Sequence, residues 1–213
     1  LNALLLTADI HRSADVLGPK LRGWRNQALL VEAGVTVARS GDRVTGLERR
    51  ELDQGQHDGV VDVLAVSSAG MLVRREAWDA VGGFDAALPM YRDDVDFCWR
   101  VRRAGYRVVT ATDAVVHHRE AATRGRRPVE AGSPGHPDRP RRLDRAAAIH
   151  LMRAHVSGPR RPFVTFRLLI GSLVRAIVLL LGKAPDEARD EWGAFRDAVR
   201  DRGGLRSSRA RVT

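Results

Sequence analysis

The chain has 213 residues, 44% apolar and 29% charged, with a formal net charge of +10. That is room for one ordinary domain plus an extension, or two small domains, with a real core and a solvated surface. A single cysteine, Cys98, excludes an internal disulfide and any multi-cysteine zinc site.

The charge is unevenly spread. Residues 1–118 hold 15 Lys/Arg against 16 Asp/Glu, and residues 119–213 hold 21 against 10. A basic C-terminal part on a neutral body points to an anionic surface such as lipid headgroups, nucleic acid or a polyanion, or else to a solvated arginine-rich tail. Aromatics at 5% that are not interleaved with the tail arginines speak against nucleic acid. The N-terminal "LNALLLTADIHRSADV" lacks a basic segment and carries only a short apolar run, so no secretory signal is expected there.

In chain order, residues 3–9 read as the end of a helix. "ADVLGPKL" (14–21) reads as a short strand closed by Gly18-Pro19. "LLVEAGVTVA" and "DRVTGLER" read as a hairpin or a loop with short strands. Residues 60–67 suit a strand covered on both faces, and Met71–Arg74 a second short strand. Glu76–Val81 reads as a short helix ended by Gly82-Gly83.

Asp93–Arg103 has helical character, with Gly105 placed to end it. At 100° per residue Asp94, Phe97, Cys98, Val101 and Ala104 share one face. Asp96, Arg100 and Arg103 share another, with Asp96 and Arg100 at i,i+4 spacing. Residues 106–118, "YRVVTATDAVVHH", have strand character. Residues 119–142, rich in Pro, Gly and Arg, read as a basic linker or loop. A helix is expected over 143–156 and an amphipathic helix over 185–202, with the last dozen residues frayed.

Residues 163–181 are the most hydrophobic run, about 28 Å long as a helix. Thirteen of its 19 positions are Leu, Ile, Val or Phe, worth roughly −4 to −8 kcal/mol of membrane insertion. Arg175 near the middle costs about 2.5–3.5 kcal/mol, and Arg167 adds to it. The expectation is an interfacial helix on an anionic leaflet or a helix packed on the rest of the protein, rather than a lone span.

Two adjacent aspartates at a helix start have two readings. The free N–H groups and the positive dipole end favour carboxylates there, so Asp93 and Asp94 can simply cap the helix. They can equally form a general base, since a neighbouring carboxylate raises basicity while the helix end tolerates the anion.

The ordered set "SSAGMLVRR", a short helix with Trp78, "GGFD", the acidic "YRDDVDFCWR", "AGYRVV" and a strand ending "VVHH" resembles the acceptor half of the family 2 glycosyltransferases, the inverting GT-A enzymes. "VLGPKL", "EAG" and "DQGQHD" extend the likeness over roughly residues 14–118, particularly to actinobacterial members. The resemblance implies an α/β fold: a partial GT-A domain of nucleotide-diphospho-sugar transferase type over 1–118, lacking its N-terminal Rossmann-like half, then the 119–142 linker and a helical, membrane-associated region over 143–213. The only Asp-x-Asp, Asp94-Val95-Asp96, lies inside the acidic motif and is not a donor-side metal motif.

By that resemblance Asp94 is the catalytic base, which deprotonates an acceptor hydroxyl attacking a nucleotide sugar. Asp93 supports it or binds acceptor. Asp96, Trp99 and Arg100 fix the helix and border the acceptor pocket, which the Gly82-Gly83-Phe84-Asp85 turn shapes. That turn is equally a helix cap. His118, or else His117, ligates a divalent Mn or Mg ion, the bland reading being two surface histidines. Trp78 stacks on a sugar or belongs to the core, and Arg74 and Arg75 face a diphosphate or solvent. His57 and Asp58 belong to a polar loop. The implied function is glycosyl transfer from a nucleotide-sugar donor to a glycan or lipid-linked acceptor in cell-envelope polysaccharide assembly, at the cytoplasmic face of the plasma membrane. The alternative is a truncated, non-catalytic acceptor-binding remnant.

Overall fold

The computed structural model describes residues 1–88, 90–119 and 139–212. It is a mixed α/β protein in two compact units. The first comprises 1–38, 43–85 and 93–119. The second comprises 39–42, 86–92 and the chain from 120 onward.

The first unit opens with α1 (Asn2–Ile10), as the sequence predicts. β1 (Val16–Gly23), β2 (Leu30–Glu32), β5 (Val60–Asp62), β6 (Leu72–Val73) and β7 (Val108–His118) form one sheet. Its path is β2-β1-β7-β5, with β6 pairing the start of β1. β3 (Thr36–Val37) and β4 (Arg43–Val44) form a separate antiparallel pair. β1 and β7 run parallel, from Val16 beside Val108 to Gly23 beside His118. Leu17, Val109, Ala111 and Ala114 pack with Leu4 of α1 and Ala14 into one buried cluster.

β1 does not close at Gly18-Pro19 but runs through it. A Cβ on Gly18 would sit 2.2 Å from the Cβ of Val66, so this glycine serves close packing. Pro19, which has no N–H to give a ladder, stands where the β1–β7 register shifts. The expected strand over 60–67 is also shorter. Val60–Asp62 alone forms a strand, at the sheet edge against β7 with Val61 exposed, and Ala65 makes an isolated antiparallel bridge to Val35. An edge strand with an open face replaces the strand covered on both sides.

Two helices complete this unit. α2 (Arg75–Val81) ends on Gly82 in the left-handed conformation. α3 (Asp93–Arg103) buries Asp94, Phe97, Cys98 and Val101, as the periodicity predicts, while Ala104 at the end of that stripe is exposed.

The second unit is helical: α4 (Pro140–His155), α5 (Arg160–Leu181), α6 (Pro185–Arg200) and α7 (Arg202–Val212). α4 starts three residues earlier than expected, so Pro140–Arg142 are helix rather than linker, with proline in the first turn where no N–H partner is forfeited. The rest of the expected linker, 120–138, lies outside the described residues. Residues 202–212 are not frayed. α7 is ordered because it buries Leu205 and Ser208, and Ser208 meets His150 of α4 at 2.8 Å.

α5 presents an unusual surface. Val164, Leu168, Ser172 and Ala176 are buried, and Phe163, Phe166, Ile170, Val174, Ile177 and Leu181 are exposed on the other side. Its two internal arginines are drawn to a short stretch of this same unit. Arg167 donates to the Arg39 carbonyl at 2.7 Å, and Arg175 pairs with Asp42. Among the described residues α5 is the one helix long and apolar enough to cross a membrane.

Candidate functional site

The first turn of α3 carries Asp93 and Asp94. Asp94 is 5% exposed, and its Oδ1 accepts the Val95 N–H at 2.8 Å. Its main partner comes from β4. Arg43 Nη1 lies 3.0 and 2.9 Å from the two carboxylate oxygens of Asp94. The same guanidinium reaches Glu32 of β2, with Nη2 at 2.7 Å and Nε at 3.2 Å from Oε2. Glu32 Oε1 accepts the Ser67 N–H at 3.0 Å. The result is a Glu32–Arg43–Asp94 bridge built from β2, β4 and α3.

The electrostatics follow from burial. Burial pushes the Glu32 carboxyl up, and Arg43 offsets part of that. Burial and the neighbouring charge of Asp94 push Asp93 up. For Arg43, burial disfavours the charge, but Asp94 and Glu32 outweigh it and hold the guanidinium firmly protonated. Cys98, one turn beyond Asp94, has its thiol pushed up to about 12 by burial.

Asp96 and Arg100 belong elsewhere. Both are buried, at 0% and 2% exposure. Arg100 donates to Asp96 and to the Val81 and Gly83 carbonyls, each at 2.8 Å. They fasten the end of α2 and its glycine turn to α3. Gly83 has φ +71°, and a Cβ there would lie 2.7 Å from the Trp78 ring. Phe84 stands edge-on to Trp78 at 5.2 Å, and Phe97 lies 5.2 Å from both. Trp78 is thus part of an aromatic cluster. Phe84 is 38% exposed and Asp85 is buried. Trp99 is half-buried on α3.

Arg74 is occupied structurally, donating to the Ala14 and Ala8 carbonyls at 2.8 and 2.9 Å, whereas Arg75 is exposed. The polar loop divides its side chains: His57 meets Glu51 at 2.7 Å, and Asp58 pairs with Lys20. Lys20 is buried and also binds Asp53 at 3.0 Å, and Asp53 pairs with Arg22.

His117 and His118 end β7, half-buried, in register with Arg22 and Gly23 of β1. Leu21 pairs with Val116 on one side and Glu32 on the other. The Glu32 backbone is therefore two strand spacings, about 10 Å, from the residue preceding the histidines. Among the described residues no three His, Cys, Asp or Glu side chains converge as a metal cluster. The histidine pair alone does not make a cation site.

Sequence reasoning reaches Asp93 and Asp94 but misses Arg43 and Glu32. They stand among the four charges of residues 32–43, with Arg39 and Asp42 between them, and nothing local ties them to residue 94.

Chemically, the arrangement offers a buried carboxylate beside a cation and a second carboxylate. The sequence model of the glycosyltransferase-like family 2 matches residues 3–128. The match starts at residue 3 and lends no support to a missing N-terminal half. An N-acetylglucosaminyl-diphospho-decaprenol L-rhamnosyltransferase of Mycobacterium tuberculosis is 43% identical over 63 residues, 30% of this chain and 20% of the relative. A pre-mycofactocin glycosyltransferase of the same species is 34% identical over 113 residues, 46% of this chain and 24% of the relative. An O-antigen biosynthesis protein of Myxococcus xanthus is 39% identical over 62 residues, 29% of this chain and 5% of the relative. The chain spans less than a quarter of the length of each of these curated relatives.

Proposed function

The chain belongs to glycosyltransferase-like family 2, and from that premise we propose that Asp94 is the general base of an inverting glycosyl transfer. The donor is a nucleotide-diphospho sugar and the acceptor a hydroxyl of a glycan or lipid-linked saccharide in cell-envelope assembly. The relatives' names, a rhamnosyltransferase acting on a decaprenol-linked sugar and an O-antigen protein, support that substrate class.

The observation that carries the reading is the placement of Asp94. It is a carboxylate withdrawn from solvent at a helix N-terminus, oriented by the Val95 N–H and by Arg43. In the reaction the acceptor O–H gives its proton to an Asp94 carboxylate oxygen. The acceptor oxygen bonds to the anomeric carbon as the bond to the leaving phosphate oxygen breaks, and the nucleoside diphosphate departs with that electron pair. Asp93, half-buried beside the base, assists it or meets the acceptor. Phe84, on the exposed side of the aromatic cluster, and Trp99 offer apolar surface to a sugar ring, and Gly82, Gly83 and Asp85 shape the turn that carries Phe84.

His118 or His117 would contribute an imidazole to a Mn or Mg site only with further ligands, which the described residues do not gather.

The membrane partner is proposed on α5. Its outward stripe carries no charge because Arg167 and Arg175 turn to residues 39–42. Residues 139–213 hold 17 Lys/Arg against 7 Asp/Glu, which suits the anionic inner leaflet. The reading places the protein at the cytoplasmic face, lying on the bilayer through α5.

The test of the base is Asp94→Asn, assayed for transfer from a panel of nucleotide-diphospho sugars. Loss of transfer by a chain that still unfolds cooperatively is expected. Retained turnover would remove Asp94 from the role.

A further inference from the structure

We infer that the guanidinium groups of Arg153, Arg161 and Arg209, gathered where α4 ends and α5 begins, form a site for the phosphate of an anionic lipid headgroup. The inference rests on the reading of α5 as a helix lying on a bilayer, and names the lipid chemistry recognised and the residues that recognise it.

Several arginines of the helical unit have acidic partners. Arg139, Arg142 and Arg145 meet Asp190, Asp197 and Glu191, and Arg175 meets Asp42. Arg153 and Arg161 differ. Among the described residues neither has a carboxylate within ion-pair distance, and their donors go to backbone oxygens. Arg153 Nη1 donates to the Ala198 carbonyl near the end of α6, and its Nε is buried without a hydrogen-bond partner. Arg161 Nε donates at 3.3 Å to the carbonyl of Val156, the residue that closes α4. Arg209 of α7 donates through Nε and Nη2 to the Arg153 carbonyl, at 3.3 and 3.2 Å.

Helix capping does not account for this gathering. A helix end carries about half a negative charge, yet the end of α4 draws two full cations, Arg161 and Arg209. The guanidiniums also repel one another. Burial and the neighbouring Arg161 push Arg209 down, and burial and Arg209 push Arg153 down, with Asp201 offsetting only part of it. Arg160 adds a further charge to the first turn of α5, which holds no acidic residue. A bound anion relieves such a cluster, and the planar forks of arginine match the oxygens of a phosphate. The neighbouring surface selects a lipid. Phe163 and Phe166, 68% and 60% exposed, open the outward apolar stripe of α5. A lipid offers both chemistries at once, a phosphate for the arginines and acyl chains for the stripe.

The test keeps the net charge constant. The full chain is co-sedimented with phosphatidylcholine vesicles with and without phosphatidylglycerol. Arg161→Lys/Arg209→Lys retains both positive charges and loses both forks. Its affinity for the phosphatidylglycerol vesicles is expected to fall at least about tenfold, whereas general attraction of basic residues to an anionic surface would leave it unchanged. Equal binding by the parent and this variant would overturn the site. Lys183, exposed just past the other end of α5, supplies the control. Lys183→Gln removes one charge and should cost about fivefold or less, and Arg161→Gln should cost more; equal losses would leave only diffuse attraction. Should the double variant fail to fold, Arg161→Lys takes its place, with a loss of at least about threefold expected and no loss overturning the site. Thermal melts in inorganic phosphate separate the two sources of the anion. A phosphate-induced rise in Tm that the lysine variant lacks, with vesicle binding equal in the two chains, would assign a soluble phosphate and overturn the lipid. Failure of the α5 reading looks different: Ile170→Glu then binds vesicles as the parent does, or the parent ignores both vesicles, which sinks the lipid as well.

Discussion

The guanidinium of Arg100 and the carboxylate of Asp96 meet at 2.8 Å on α3, with 1% and 0% of their side chains exposed. Arg100 also holds the two carbonyls that end α2. Removing it strands a buried carboxylate and two backbone acceptors. Arg100→Met is expected to cost about 3–5 kcal/mol of stability, read from the urea midpoint. The double variant Asp96→Asn/Arg100→Met should cost less than the single one, because the uncompensated charge is gone. A single variant within about 1 kcal/mol of the parent would refute the clamp, being the size of an ordinary surface change.

The glycine turn gives a matched pair. Gly83 and Gly105 both have positive φ, at +71° and +91°, but a Cβ on Gly83 meets the Trp78 ring while one on Gly105 meets nothing within 4 Å. Gly105→Ala should cost only the left-handed strain of about 1–2 kcal/mol. Gly83→Ala should cost more and also shift tryptophan emission. Equal losses would mean the ring is not the obstacle.

Asp93 makes a pH prediction. Its folded-state carboxyl is raised by burial and by Asp94. A raised acid favours the folded state below the ordinary carboxylate range and loses that advantage as pH climbs through the raised value. Asp93→Asn should therefore gain thermal stability relative to the parent on going from pH 4 to pH 7. A difference in Tm that stays flat across that interval would contradict the burial of this carboxyl.

For α5 the measurement is co-sedimentation of the chain with vesicles of phosphatidylcholine alone and with phosphatidylglycerol added. Binding that rises with the anionic lipid and falls at least tenfold in Ile170→Glu is expected. Concentration-dependent self-association without vesicle binding would identify a second copy as the occupant instead.

Local rules read α3 well. The 3.6-residue spacing of Asp94, Phe97 and Val101, the acidic start and Gly105 all agree, and nothing distant opposes them. The same rules fail where distant partners decide. Gly18-Pro19 is a strong turn signal, yet Val66 across the sheet and β7 alongside hold it extended. Gly203 and Gly204 weaken α7 on propensity, and the pairing of Ser208 with His150, 58 residues away, is invisible in a window. Asp96 and Arg100 are legible as a pair from their i,i+4 spacing, but their burial depends on the α2 turn that covers them. Arg43 and Glu32 stand 51 and 62 positions from Asp94, so half of the charge arrangement around Asp94 emerges only in three dimensions.

Cys98 lies wholly buried one turn below Asp94, with its thiol 4.0 Å from the Val66 carbonyl and held protonated well above neutral pH. A maleimide or iodoacetamide therefore has no thiolate to attack while α3 stays seated. The rate at which such a reagent labels this one sulfur becomes a clock for the lifting of the helix, readable by mass spectrometry without any introduced probe.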